Sequence, residues 1–336
     1  MKYQEKERQN LTTCIELGYF GCNGGGKFLG KKRDFVLQNG DKNLFAPIRK
    51  YVKDYFRENG ISWWSGAKPT GHVLSSQIAC INHLYALRYD EENVLKMAQT
   101  VCEDFVEVLK IQSDKYLPAF IAFEVVSDND YLHECKDDGK PTRGNNCTSI
   151  DALIYAKHKN GKKYLIPIEW KYTEYYGNED KAAGEKGIIR KKRYTDLINN
   201  SQQLKNEKQS CYYFEPFYQL MHQTLWAEQM IKNNEREIVK ADDFIHVHVI
   251  PTENKDLLDK KYLCSGKDME TTWRECLKNQ NKYKIISPKT LLNAIDRQKY
   301  EELIGYLGRY NVNVVNPETE YTENVRIREV YERLKK

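Results

Sequence analysis

The chain has 336 residues, of which 40% are hydrophobic and 30% are charged, and its formal net charge is +5. This length suits one large domain or two tightly joined ones, and because no Gly/Ser- or Pro-rich linker interrupts the sequence, we expect one domain. No apolar run reaches the roughly 20 residues that span a bilayer, which argues against a membrane protein.

Hydrophobic periodicity predicts alternating groups of helices and strands. Residues 1–40 are polar and Gly-rich, and we expect irregular structure there. The periodic segments predict helices over 43–59, 72–87, 91–111, 190–206 and 215–233, and strands over 116–126, 148–157, 163–172 and 244–250. The remaining predicted elements are a strand at 283–287, a helix that starts at Pro288, a helix at 297–308 and a helical stretch near 322–334.

This order of helix, three strands, helices and strand is αβββαβ. It predicts an α/β protein with a mixed central sheet that is flanked by helices. We place the core domain at 61–310, a helical N-terminal extension packed on it at 1–60, and a C-terminal tail at 311–336.

Charged residues lie on two neighbouring predicted strands. Alternation gives each strand an apolar face and a charged face, with Asp151 on the first strand and Glu169 and Lys171 on the second. Desolvated charges beside a hydrophobic core must be paired or hold a metal. The three side chains are therefore candidates for a functional site.

The turn between these strands decides whether the charges converge. A two-residue turn at Asn160-Gly161 would pair Asp151 with Trp170, whereas a loop of residues 159–161 with Gly161 left-handed pairs Asp151 with Glu169. We predict the three-residue loop or a bulge. Inside the second strand, Pro167 removes a ladder donor, so we also expect a bulge or distorted pairing there.

An Asp on one strand and Glu-x-Lys on the next resemble the PD-(D/E)XK nuclease superfamily, and in particular a little-characterised branch of bacterial restriction endonucleases. The resemblance spans about 60–300. Its five blocks are GHVLSSQIACINHLY (71–85), FEVVSDNDYLHE (123–134), CTSIDAL (147–153), IEWKYTE (168–174) and EPFYQLMHQTLWAEQM (215–230). The resemblance implies a restriction-endonuclease-like core and a Mg²⁺-dependent endonuclease that hydrolyses DNA phosphodiester bonds in restriction or defence.

The resemblance also implies a metal site on the charged strand face. Asp151, Glu169 and the backbone carbonyl of Trp170 would supply oxygen ligands to Mg²⁺, for which Mn²⁺ can substitute. The metal would activate a water and stabilise charge on the phosphate, while Lys171 would orient that water and offset negative charge. The competing interpretation, which a lone Glu-x-Lys would favour, is a surface ion pair on an exposed strand.

Three further polar residues are candidates for the site. Glu124 ends the first strand, where related nucleases place an additional metal-binding acid, and a salt bridge to Arg143 or Lys171 is the alternative. Gln77 stands where the superfamily often carries a metal-ligating Glu, and it is a candidate to orient water or contact nucleic acid, with buried hydrogen bonding as the alternative. Gln219 resembles the Gln of a Q-x-x-x-Y element, although Gln223 replaces the expected aromatic residue.

Other polar features allow two interpretations each. A basic run after the predicted site is a candidate for nucleic-acid contact or a solvated surface, and it consists of Arg190, Lys191, Lys192 and Arg193. A second basic run occupies 31–33. His246 and His248 alternate with apolar residues on a predicted strand, and ordinary polar-face histidines are favoured over a metal pair because no third ligand follows at a useful spacing.

The sequence leaves several functions open. Residues 21–27 have the G-x-x-x-x-G-K spacing of a phosphate-binding loop, but Phe28 occupies the Ser/Thr position, which disfavours an ATPase. A structure-specific DNA repair or recombination nuclease and an inactive nucleic-acid-binding module of the same fold are the alternatives to a restriction enzyme. A homodimer is left open, and any methyltransferase partner would be a separate protein.

Cysteine usage bears on the compartment. The nine cysteines form neither paired CxxC motifs nor a dense framework, and no signal-peptide pattern opens the sequence. We therefore expect reduced thiols and a cytoplasmic location.

Overall fold

The computed structural model describes residues 1–64, 66–113, 116–135, 139–144, 147–206 and 211–311. The helix predicted near 322–334 lies outside these residues. The helices are α1 (Tyr3–Glu16), α2 (Arg49–Glu58), α3 (Ser76–Leu84), α4 (Glu91–Val101), α5 (Gly184–Asn199), α6 (Phe217–Lys232), α7 (Lys255–Leu258), α8 (Met269–Glu275), α9 (Pro288–Ala294) and α10 (Glu301–Leu307). The strands are β1 (Gly26–Phe28), β2 (Lys31–Arg33), β3 (Phe105–Leu109), β4 (Ile111–Ser113), β5 (Tyr116–Ala119), β6 (Ile121–Val125), β7 (Ile150–His158), β8 (Lys163–Trp170), β9 (Asp243–Phe244), β10 (His246–Val249) and β11 (Tyr283–Ile286).

Two predicted segments are wrong. The region 1–40 is not irregular, because α1 occupies much of it and buries Leu11, Cys14 and Ile15. The helix predicted over 91–111 ends at Val101, and the alternating β-branched sequence that follows forms β3 instead. The strand predicted over 116–126 is divided into β5 and β6, and the one predicted over 244–250 into β9 and β10. The other predicted helices and strands among the described residues are present with shifted boundaries.

The central sheet is mixed, as predicted. Its strand order is β11-β10-β8-β7, and β3 and β6 both pair with β7 on its other side while β9 pairs with β8. Strands β3, β6 and β8 run antiparallel to β7, whereas β9 and β10 run parallel to β8. The sheet therefore combines a hairpin core with parallel crossovers that bring helices to its faces.

Both faces of the sheet are buried. On one face, Ile154 and Ile166 join an apolar cluster that also contains Leu11 of α1 and residues of α2, α3 and α4. On the other face, Leu153 and Leu165 pack with residues of α6. The face predicted to carry charge is thus covered by helix for most of its length, with Asp151 and Glu169 at one end of it and the Lys157–Lys163 pair at the other. The domain boundaries at 60 and 310 stay a prediction.

The β7–β8 hairpin has the predicted register. Lys157 pairs with Lys163, residues 159–161 form the loop, and Gly161 has a φ of 86°. Ala152 pairs with Ile168, so the next pair in register sets Asp151 opposite Glu169.

The bulge predicted at Pro167 is absent, because Pro167 pairs with Leu153 inside an uninterrupted ladder. The backbone N–H of Ile245 donates to the Leu165 carbonyl at 3.0 Å. Since alternate residues of a strand turn their backbone groups to the same side, Pro167 faces the interval between β9 and β10. The ladder to β7 therefore loses no donor.

A disulfide joins Cys211 and Cys264. The expectation that all cysteines are reduced thiols is therefore wrong for this pair. Within the described ranges, no helix has both the length and the apolar character needed to cross a membrane.

Candidate functional site

Three carboxylates from three adjacent strands form one row across the sheet. The pairs Phe123–Ala152 and Val125–Ile150 flank Glu124, which sets it opposite Asp151. The β7–β8 register sets Asp151 opposite Glu169. Directly opposed residues share a face of the sheet, so the three acids point to the same side.

Lys171 follows Glu169 by two residues and lies on the same face. Its Nζ is 2.5 Å from Glu169 Oε1, and both side chains are buried, with exposed fractions of 6% and 7%. The competing interpretation of Glu169 and Lys171 as a surface ion pair on an exposed strand is therefore wrong. Helix α6 supplies two amides to this pair: Gln219 Oε1 accepts a hydrogen bond from Lys171 Nζ at 2.5 Å, and Gln223 Nε2 donates to Glu169 Oε2.

The charges of this row alter one another's pKa values. Burial raises the pKa of Asp151 well above its ordinary value, and the negative charges of Glu169 and Glu124 raise it further. Asp151 nevertheless accepts a hydrogen bond from the backbone N–H of Trp170 at 2.7 Å. Burial disfavours the ammonium of Lys171, but Glu169 and neighbouring anionic groups outweigh it and hold the lysine pKa well above its ordinary value. The lysine is thus a fixed cation.

Glu124 is held in a strained backbone conformation, with a φ of 49°. Its carboxylate accepts hydrogen bonds from Gln77 Nε2 at 2.7 Å and Ser149 Oγ at 2.9 Å. Burial raises its pKa in spite of these bonds. The alternative interpretation offered Arg143 or Lys171 as a salt-bridge partner. Arg143 donates to Asn59 Oδ1 at 3.0 Å, and Lys171 pairs with Glu169.

The row opens into a cavity of about 750 Å³. Seven residues that the sequence proposed for the site line this cavity: Gln77, Glu124, Asp151, Glu169, Trp170, Lys171 and Gln219. None of the basic run 190–193 lines it. That run lies on α5, where Arg190 Nη1 donates to the backbone carbonyl of Lys181 at 2.9 Å. The structure thus gathers the acid and amide candidates and leaves the basic run outside.

Several lining residues were not predicted as site residues. Gln223 is one helical turn after Gln219, so helical spacing was the available signal. Ser149 lies two residues before Asp151 on the same strand face. His222 lines the cavity with Nδ1 3.0 Å from Thr148 Oγ1, and burial lowers its pKa. Nothing in the local sequence predicts the contact between His222 and Thr148, because it depends on how α6 packs against β7.

The acids fit a hard divalent cation. Their oxygen donors are the type that Mg²⁺ prefers, and burial together with the negative charge of Glu169 raises the pKa values of both Asp151 and Glu124. Among the described residues, three Cys, His, Asp or Glu ligand atoms lie within 4.8 Å of one another only at Cys102, Asp104 and His158. The ligand atoms of Glu124, Asp151 and Glu169 therefore do not all lie within 4.8 Å of one another, and a cation between them would keep some of its waters, as Mg²⁺ usually does.

His246 and His248 are buried rather than on a solvent-facing strand surface. Burial lowers the pKa of His246 to about 4 and that of His248 well below its ordinary value. His248 Nδ1 lies 3.1 Å from the hydroxyl of Tyr283. Both histidines are therefore neutral.

The family model described as Restriction Endonuclease associating with ARP matches residues 1–310, which is nearly all of the chain. No curated protein and no solved structure matches the chain.

Proposed function

Because the chain belongs to this restriction endonuclease family, we propose that it has a restriction-endonuclease-like core of the PD-(D/E)XK type and hydrolyses DNA phosphodiester bonds with Mg²⁺, in restriction or defence. One observation carries the proposal. Glu124, Asp151 and Glu169 form a row across three strands, and Lys171 stands beside them in the cavity.

Asp151 and Glu169 would hold the cation, with Glu124 as a further ligand. The Trp170 carbonyl stays a proposed ligand. When bound, Mg²⁺ supplies a Lewis acid for a phosphate oxygen and lowers the pKa of a coordinated water. The strained backbone of Glu124 is consistent with a side chain held for function rather than for folding.

Lys171 would stabilise the negative charge that develops on the phosphate. Its pKa is held well above the ordinary value, so it stays charged at neutral pH. Gln219 fixes the position of its ammonium group, and Gln223 fixes Glu169. A charge that is already oriented stabilises a transition state without reorganisation.

The direct test is cleavage of supercoiled plasmid in Mg²⁺ and in EDTA. We expect Mg²⁺-dependent nicking or linearisation, abolished by Asp151→Asn and by Lys171→Met. The matched controls, Asp104→Asn and Lys163→Met, lie at the other end of the β7–β8 hairpin and should cut normally. A chain that binds DNA but does not cut it in Mg²⁺ or Mn²⁺ would instead be an inactive binding module.

A second assay separates restriction from repair. Fragments of defined length from linear duplex DNA indicate sequence-specific cleavage, as expected for a restriction enzyme. Preferential cutting of branched or nicked substrates at their junctions would support the structure-specific nuclease instead.

A further inference from the structure

A short basic hairpin stands beside the cavity. Strands β1 and β2 pair antiparallel, with Phe28 opposite Lys31, so Leu29 and Gly30 form a two-residue turn. Both turn residues have positive φ, 49° for Leu29 and 76° for Gly30. Such turns favour Asn-Gly, because a branched apolar residue is strained there. Leu29 is nevertheless 82% exposed at the tip, where it contributes little to folding.

The glycines at the start of the hairpin allow its backbone to pack closely against neighbouring segments. A Cβ on Gly24 would lie 2.1 Å from the carbonyl oxygen of Asp34, and one on Gly26 would lie 2.4 Å from that of Leu37. These glycines therefore allow backbone segments to approach one another. Residues 21–27 lead into β1 and not into a helix. The close backbone packing of these glycines therefore explains the match to the spacing of a phosphate-binding ATPase loop.

One residue of the hairpin reaches the cavity. Phe28 lines the cavity, and its ring stacks on Trp64 at a centroid distance of 5.6 Å. Cross-strand pairing places Lys31 and Arg33 on the face of Phe28, and Lys27 and Lys32 on the opposite face. These four side chains are exposed, and within the described part of the chain none forms a salt bridge with a carboxylate.

We propose that this hairpin is a DNA clamp next to the scissile phosphate, with Lys31 and Arg33 on backbone phosphates and Leu29 as a wedge against the base stack. The inference rests on the proposed function in taking DNA as the substrate. Unpaired exposed cations complement the phosphate charge, and apolar side chains such as Leu insert between base steps in architectural DNA-binding proteins. The strained conformation of Leu29 fits a side chain held for such a contact.

Charge removal on the two hairpin faces tests the clamp. In an Asp151→Asn background that does not cut, Lys31→Ser/Arg33→Ser should weaken duplex binding, measured by fluorescence anisotropy, by roughly tenfold near 0.1 M salt. It should also reduce the slope of log K against log salt by about 2. Lys27→Ser/Lys32→Ser removes the same charge from the opposite face and should change both quantities much less. Equal losses for the two doubles, or no loss for either, would overturn the clamp and leave the hairpin to another class of partner.

The wedge is tested by Leu29→Asn. Asn suits the turn better than Leu, so the melting temperature should stay the same or rise while DNA affinity falls. If Leu29 has a structural role, the substitution should lower both the melting temperature and the DNA affinity. An unchanged DNA affinity would show that Leu29 does not act as a wedge.

The clamp and the nuclease can fail separately. If the unsubstituted chain binds DNA through Lys31 and Arg33 but does not cut it in Mg²⁺, the clamp stands and the proposed nuclease is wrong. If it cuts DNA and Lys31→Ser/Arg33→Ser retains the parental KM and Kd, the nuclease stands and the clamp is wrong.

Discussion

Replacing Lys171 with Met should destabilise the fold and make its stability depend more strongly on Mg²⁺ than that of the parent. The ammonium lies 2.5 Å from Glu169, and both side chains are almost fully buried. Removing one partner of a buried ion pair leaves an uncompensated charge and costs about 3–5 kcal/mol. Since Gln223 still donates to Glu169 in the variant, we expect a loss near the lower limit, about 3 kcal/mol.

The double variant Lys171→Met/Glu169→Gln removes both charges and should recover most of that loss, because replacing both partners of a buried pair is often nearly neutral. Mg²⁺ should rescue the single variant by taking the place of the lost positive charge. A ligand at 100 times its Kd stabilises the folded state by about 2.7 kcal/mol. The rescue needs Glu169, so the double variant should gain much less.

Urea unfolding in EDTA and in MgCl₂ at matched ionic strength measures these differences, with Lys163→Met as a control for loss of an exposed lysine. Two results would refute the reasoning. One is a Lys171→Met variant that is as stable as the parent in EDTA. The other is the same Mg²⁺ stabilisation in the single and double variants, since that would place the ion elsewhere.

Three further substitutions test the row and the hairpin. The folded-state pKa of Asp151 lies well above its ordinary 3.8, so the stability that its protonated form contributes is present below pH 3.8 and lost as pH rises through the raised value. In EDTA, the stability of Asp151→Asn relative to that of the parent should therefore increase as pH rises from 4 to 8. Urea unfolding measures this difference, and the same difference at pH 4 and at pH 8 would contradict the prediction. Ser149→Ala removes a hydrogen bond that favours ionised Glu124, so the acid limb of the cleavage pH profile should move upward. A profile that does not move would show that this carboxylate does not limit the reaction. Gly24→Ala brings a Cβ to 2.1 Å from a backbone carbonyl oxygen and should lower both melting temperature and DNA affinity, whereas a Cβ on Gly177 meets nothing within 4 Å, so Gly177→Ala is the control.

Sequence reasoning succeeded where the physics is local. Alternation identified β7 and β8, and convergence of the charges required the three-residue loop that the structure has at 159–161. The prediction of a bulge at Pro167 was wrong. The cost of a proline in a strand depends on which side of the strand loses a hydrogen-bond donor, and here that side is set by β9 and β10. A contact between strands distant in sequence cannot be inferred from alternation alone.

The errors at the site have the same origin. The hydrogen bond from Gln223 to Glu169 depends on how α6 packs over the sheet. The residue type does not predict the positive φ of Glu124, because Glu rarely adopts this backbone conformation. The basic run at 190–193, which is a candidate for nucleic-acid contact or a solvated surface, lies on α5 and does not line the cavity. The more exposed basic run at 31–33 pairs with β1, whose Phe28 lines the cavity.

The charge of the row also predicts how protons and metal compete. Three carboxylates and one ammonium leave two negative charges uncompensated when all are ionised, which equals the charge of one divalent ion. Without that ion, burial and mutual repulsion raise the pKa values of Asp151 and Glu124, so protons are retained as pH rises. Mg²⁺ must displace those protons, and its affinity should increase with pH until the acids are ionised. Calorimetric titration in two buffers of different ionisation enthalpy should therefore detect proton release on binding. Binding without proton release would mean that the cation does not contact this row.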